Sequence, residues 1–423
     1  MKTDSSMSTL RRMTSTTPTA LLAFMSWAPS PLSTEERLDF KKLFARRLAK
    51  VKARTDDVFA FRKNDAPPFL VNSAFYHVFG IDQKDVPDDY FETPEAMIRF
   101  QERVYYDQVK EIDDDFVPCL VPWFGCVVMA SALGCKVQVP RRMDPTADPA
   151  YYPVRTPEDI RRLSMPDPEK AGLMPTVLRF QRAMKSSSFL PVGITDCQSP
   201  LTTANQLMGY DGLIYLIADY PNAAHELLDK IAEATIIWVK AQKKLIGEPL
   251  DECFTDQQVY TGRHAGVWFS DDDASLMSPE MYRTFVVPYN SKILTAFGGG
   301  CIHFCGNALP QADNLVNTKG LRAFNNYNLF NLGPLVEVKK KFEGKVVLFV
   351  CDFTPVDYEA YFRELLATMP RGGMVIDSQY SPVVGLLKGG QYNPVQRNLK
   401  DGRKAVYDFL KEALSAGIGH SPS

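Results

Sequence analysis

Gly298-Gly-Gly-Cys-Ile-His-Phe-Cys-Gly-Asn307 sets a short alternating run between glycines. A period of two belongs to a β-strand. Cys301, His303 and Cys305 therefore share one face, and Ile302 and Phe304 the other. Working outward, similar strand-like runs fall at 68–72, 115–121, 190–196, 266–270, 300–305, 320–325, 345–351 and 373–377. Helix-like segments lie between or after them, at 95–111, 174–184, 223–245, 279–297, 309–317, 335–341, 357–369 and 403–415. Thr93-Pro94 and Ser278-Pro279 each pair a capping hydroxyl with a proline at the first helical position.

Eight strands alternating with helices predict an α/β fold, a parallel sheet closed into a (β/α)8 TIM barrel. A doubly wound open sheet is the alternative, but no G-x-G-x-x-G follows the first strand. Ahead of the barrel, Ser33-Thr-Glu-Glu36 reads as a capping box opening a helix that runs to about Arg54. The expected organisation is a flexible or targeting tail (1–33), an N-terminal helical extension (34–64), the barrel (65–416) and a short tail (417–423). The Pro-, Asp- and Arg-rich stretch 144–168 reads as a surface excursion.

Composition narrows the function classes. The 423 residues are 45% hydrophobic and 23% charged, with a net charge of −2 and no long basic block. Nucleic acid and anionic membrane surfaces are poor partners for such a chain. No run of about 18 apolar residues predicts a membrane span. Eight cysteines over this length do not resemble a secreted disulfide framework, so reduced thiols and a cytoplasmic setting are expected. Arg11 and Arg12, the Ser/Thr clusters and the apolar stretch 19–28 keep organellar targeting open.

In a barrel enzyme the chemistry sits at the C-terminal strand ends. Those ends carry Asn72, Trp123, Asp196, Asp271 to Asp273, Cys305, Asn307, Asn325, Asn326, Cys351, Asp352 and Asp377. Adjacent carboxylates that are partly buried raise one another's pKa, which suits Asp271 or Asp272 to acid–base work. His303 and Cys305 stand about 6.6 Å apart along a strand, close enough to share a metal ion. Cys301 and Cys305, about 13 Å apart, are too far. Cys351 or an aspartate oxygen from 271–273 is then the candidate third ligand. A metal-free site role and plain packing remain alternative readings of the pair. His77, His225 and His264 have no visible partner and read as structural.

Four stretches resemble the uroporphyrinogen decarboxylase superfamily. They are Ser199-Pro-Leu-Thr-Thr-Ala-Asn-Gln-Leu-Met-Gly209, Ser270-Asp-Asp-Asp-Ala-Ser-Leu-Met-Ser-Pro-Glu-Met-Tyr282, His303-Phe-Cys-Gly-Asn307 and Cys351-Asp-Phe-Thr-Pro355. The resemblance spans about 65 to 415 and implies a (β/α)8 barrel. One branch of that superfamily decarboxylates tetrapyrrole acetates without a cofactor. Another uses zinc, bound through His-x-Cys and a later cysteine, to move a methyl group between a corrinoid and a thiol.

The chain departs from both branches. Around 59–78 only Arg62 and Lys63 stand where the first branch has an arginine-rich motif, and Val121-Pro-Trp-Phe-Gly125 lacks its aspartate. Tyr380 stands near the position of the late histidine of one branch and the third cysteine of the other. The expectation is a decarboxylase-type lyase acting on a small carboxylated substrate with no required cofactor. Asp271, Asp272, His303 and Tyr380 would be catalytic. Asp196, Asn307, Asn325, Asn326 and Trp123 would bind substrate. The alternative is a zinc-dependent methyltransferase with His303, Cys305 and Cys351 as ligands. A third is a barrel that only binds a ligand. The resemblance also implies a monomer or homodimer.

Overall fold

In a computed structural model of the chain, the structure describes residues 30–62, 66–73, 86–255, 259–328, 330–380, 383–388, 391–396 and 399–417. The expected tails, apart from 30–33 and 417, and His77 lie outside the described residues. Six parallel strands form one sheet: β1 (Phe69–Ser73), β2 (Val267–Ser270), β3 (Gly300–Cys305), β4 (Leu321–Tyr327), β5 (Val347–Phe353) and β6 (Met374–Tyr380). Their spatial order is β1, β6, β5, β4, β3, β2.

Two extended stretches close the sheet into a ring. Leu120 bridges Val192 in parallel, and Gln198 bridges Ser270 of β2 in parallel. These are the expected second and third strands, present as path but not as regular ladders. Pro118, Pro122 and Pro191 fall within or beside them, and proline cannot donate to a ladder. On the far side, the Asp115 amide donates to the Phe69 carbonyl at 2.9 Å. The circuit of eight is thus complete, a (β/α)8 barrel.

Helices cover the outside. Helix 279–297 was expected as one piece and is two, Pro279–Phe285 and Val287–Ala296. Pro288 removes the amide that would continue the first helix. The excursion at 144–168 contains a strand (Thr146–Ala147) that pairs antiparallel with Val137–Gln138, and one short helix, Pro157–Arg162. The closing helix is Leu399–Ser415.

The seam beside β1 is made by side chains. The Phe69 amide donates to Asp115 Oδ2 at 3.0 Å and the Val71 amide to Asp114 Oδ2 at 2.8 Å. Both carboxylates are buried, so each needs a counter-charge. Helix α1 (Thr34–Phe59) supplies two. Arg47, 2% exposed, lies 2.5 Å from Asp114 Oδ1 and also donates to the carbonyls of Val109, Ile112, Asp114 and Phe116. Arg54 Nε lies 2.9 Å from Asp115 Oδ1. The capping box expected at Ser33 and Glu36 forms and starts this helix.

Among the described residues no helix is long and apolar enough to cross a membrane. All eight cysteines are free thiols.

Removing one member of a buried ion pair leaves the other uncompensated. Arg47→Met should therefore destabilise the protein by about 3–5 kcal/mol, read as a lower urea midpoint. Arg62→Ala, at the exposed pair with Asp57, should leave the midpoint unchanged.

Candidate functional site

Strand parity decides which side chains enter the barrel. His303 pairs in register with Asn325, and Cys305 with Tyr327, which in turn pairs with Cys351. Cys351 pairs with Asp377, and Phe353 with Gln379. These residues lie on one face of each strand, so they form successive layers inside the barrel near its C-terminal end.

A hydrogen-bonded chain crosses one layer. Asn72 Nδ2 donates to Asp377 Oδ1 at 3.1 Å, and Asn325 Nδ2 to Asp377 Oδ2 at 3.4 Å. Asn325 Oδ1 lies 2.5 Å from His303 Nδ1. Because the amide of Asn325 faces a carboxylate, its carbonyl must face the imidazole. A carbonyl only accepts, so Nδ1 carries the proton and Nε2 is left with its lone pair.

That nitrogen faces a thiol and a carboxylate. His303 Nε2 lies 3.5 Å from Cys305 Sγ and 3.7 Å from Asp272 Oδ1. Asp272 is held in place by the Cys305 backbone amide, which donates to Oδ1 at 3.0 Å. One ligand atom from each of Asp272, His303 and Cys305 lies within 4.8 Å of the others. Nitrogen, sulfur and oxygen donors with a remaining open side suit a zinc ion. Burial first, then Asp272 and Asp352, raise the Cys305 thiol far above the usual range. The C-terminal ends of β1 to β6 offer acids and amides but no lysine or arginine among the described residues. A bound divalent cation would supply the missing positive charge, so these residues fit one.

Several expected residues take other places. Cys351 is not in the ligand cluster. Its strand is two away from that of Cys305, about 10 Å at ~4.8 Å per strand, and its sulfur accepts from Gln379 Nε2 at 3.4 Å. The third candidate ligand is therefore Asp272. Tyr380 follows the inward-facing Gln379 and so points the other way. Its hydroxyl packs against Gly402 in the closing helix, where a Cβ would not fit. That parity places Tyr380 against the closing helix, away from the cluster of Asp272, His303 and Cys305.

Asp271 also belongs to the helix layer. It is fully buried and accepts from Ser199 Oγ at 2.5 Å, Tyr282 Oη at 2.7 Å and Asn290 Nδ2 at 2.9 Å. With its oxygens engaged there, it ties helices to the barrel. Asn326 donates to the Phe304 and Gly306 carbonyls, fixing the turn after β3, and Asn307 Oδ1 accepts from the Leu309 amide. Trp123 is buried and donates to Asp144 Oδ1 at 2.7 Å, and Asp196 accepts from Gln198 at 2.6 Å. His225 stacks on Phe285 and bonds Tyr289, and His264 stacks on Phe59 of α1 and bonds Asp56.

Residues the sequence left without a role are Asn72 and Asp377, which orient Asn325, and the aromatic pair Tyr327 and Phe353. The signal was present: β4 and β5 continue the alternation two residues past the expected ends, to Tyr327 and Phe353.

Burial dominates the buried acids and raises them from an ordinary 3.8. Asp271 reaches about 6, and Asp352 and Asp377 about 7. Each holds its proton more tightly folded than unfolded. The stability this contributes is complete below about pH 3.8 and is lost as pH rises through 6 to 7. Asp377→Asn should therefore show a shallower loss of stability across that window than wild type, measured as denaturation midpoint against pH.

Comparison with known proteins adds three findings. Residues 89–245 match the family model described as uroporphyrinogen decarboxylase (URO-D). The chain is 28% identical over 166 residues to a uroporphyrinogen decarboxylase of Carboxydothermus hydrogenoformans, 37% of this chain and 42% of that protein's length. A methyltransferase from Methanosarcina mazei superposes with a TM-score of 0.60 at 16% identity, over 86% of this chain and 98% of the other. At that identity the likeness speaks for the fold alone.

Proposed function

The chain belongs to the uroporphyrinogen decarboxylase superfamily as a divergent member, and from that premise we propose that it is a zinc-dependent methyltransferase acting on a thiol. The observation that carries this reading is the orientation of His303. Its Nδ1 is engaged by Asn325, so Nε2 is directed at Cys305 and Asp272. Metal-bound histidines are commonly fixed through their second nitrogen in this way.

Asp272, His303 and Cys305 would hold the ion. Zinc bound there would favour the thiolate form of a substrate thiol, the nucleophile needed to accept a methyl group. The protein's own groups prepare the place. Asp377 and Asn72 set the amide of Asn325, and Asn325 sets the imidazole. The Cys305 amide positions Asp272, so one backbone group aligns two ligands. Burial first, then the nearby acids, keep Cys305 protonated, and a bound cation would favour its thiolate.

The decarboxylase reading has support of its own, since both the family model and the curated relative carry that name. The matched residues 89–245, however, end before Asp272, His303 and Cys305. A substrate carrying several carboxylates would also meet the ends of β1 to β6, rich in Asp and, among the described residues, without Lys or Arg. Like charges at close range in a low-dielectric mouth repel strongly.

Purified protein should contain near-stoichiometric zinc by elemental analysis, lost in His303→Ala and Cys305→Ser. Asn325→Leu should weaken zinc affinity about 10–100-fold in a chelator competition. A protein that takes up no zinc yet releases CO₂ from uroporphyrinogen would overturn the methyltransferase reading in favour of the lyase.

A further inference from the structure

The thiol stands beside a corner of aromatic rings. Tyr327 is the register partner of Cys305, so its ring starts from the position next to the sulfur. The rings of Tyr327 and Phe353 lie 5.1 Å apart at 82°. Phe330 adds a third ring, 6.3 Å from Tyr327 at 88°. Phe353 and Phe330 each stand at a near right angle to Tyr327, so the three rings make an aromatic corner beside the sulfur.

Phe330 is placed there against two ordinary preferences. Its φ is +63°, a left-handed conformation that bulky residues rarely adopt, and it is 37% exposed. Its backbone amide donates to Asp352 Oδ1 at 3.4 Å, and its ring meets Tyr361 edge-on at 6.2 Å. Tyr361 in turn bonds Asp352. A buried acid therefore supports the turn that presents this exposed ring. Strain of this kind persists where the surroundings enforce it, and it clusters at ligand sites.

The electrostatics have one sign. Asp272 lies beside Cys305, and Asp352, raised by burial to about 7, lies behind the rings and adds negative charge as pH rises past neutral. Aromatic faces are themselves negative and attract cations whose skin is apolar. A neutral ligand gains nothing from the acids, and an anion is repelled by them.

We propose that Tyr327, Phe330 and Phe353 bind a small methylated onium ion, a quaternary ammonium or a tertiary sulfonium, as the methyl donor. The donor role rests on the thiol methyltransferase reading above. In the transfer, the substrate thiol first loses its proton to water. The thiolate sulfur then forms a bond to a methyl carbon, and the bond from that carbon to the onium nitrogen or sulfur breaks. The electron pair of that bond stays on the leaving atom, giving a methyl thioether and a neutral amine or sulfide. No oxidant or reductant is required. The neutral product no longer benefits from the ring faces and the acids, which favours its release.

The test is binding to the metal-free full chain, by calorimetry, of choline, tetramethylammonium and trimethylsulfonium, each compared with the neutral isostere 3,3-dimethylbutan-1-ol. At least one cation is expected to bind about tenfold or more tightly than the isostere. Phe330→Ala should weaken it about tenfold, and Tyr327→Phe, which keeps the ring face, should not. Phe330 is on the surface, and circular dichroism checks that its variant folds.

Equal affinity for cation and isostere, no binding of any cation, or binding untouched by Phe330→Ala would overturn the proposal. Because zinc is absent from this assay, cation binding in a protein that fails to take up zinc would sink only the metal reading. Zinc uptake without cation binding would sink only this one.

Discussion

Two adjacent carboxylates stand in for a β-ladder at the seam of the barrel. Asp114 and Asp115 take the backbone amides of Val71 and Phe69, which an ordinary neighbouring strand would take with carbonyls. Carboxylates do this more strongly than carbonyls but bring charge into a buried place. The guanidinium groups of Arg47 and Arg54 offset it from a helix outside the barrel proper. The N-terminal helix is therefore part of the closure mechanism. Without it the first strand would border two buried negative charges, and the circuit of eight would lose its join.

Once the ring is closed, the pleat assigns every side chain to the lumen or to the helix layer. Three aspartates follow β2, and the pleat divides them. Asp271 turns outward into a set of helix contacts, while Asp272 reaches the backbone of Cys305 and the imidazole of His303. The same rule sends Gln379 inward and Tyr380 outward. Chemical character is thus set less by residue type than by whether a position is odd or even along its strand.

This is also what made the chain partly legible. Eight strand positions could be read from apolar runs and alternation, because a barrel strand buried on both faces leaves a strong apolar signal. His303 and Cys305 could be paired, because period two relates residues on one strand. Which carboxylate joins them could not be read, since that depends on the turn after a different strand. Nor could the fates of Cys351 and Tyr380: an error of one residue in register or strand end moves a side chain to the opposite face. Two β-segments lost their ladders to prolines that the same reading could have weighed. The aromatic corner went unseen because its strands were ended two residues early.

The link between Asn72 and Asp377 joins positions 305 residues apart. Contacts this distant in sequence form late, because the chain must first surrender the entropy of a very long loop. The imidazole of His303 is aligned through Asn325 and Asp377, which this contact helps fix, so a partly folded chain lacks that alignment. Long-range closure of the barrel is therefore what brings the candidate ligands Asp272, His303 and Cys305 into one arrangement.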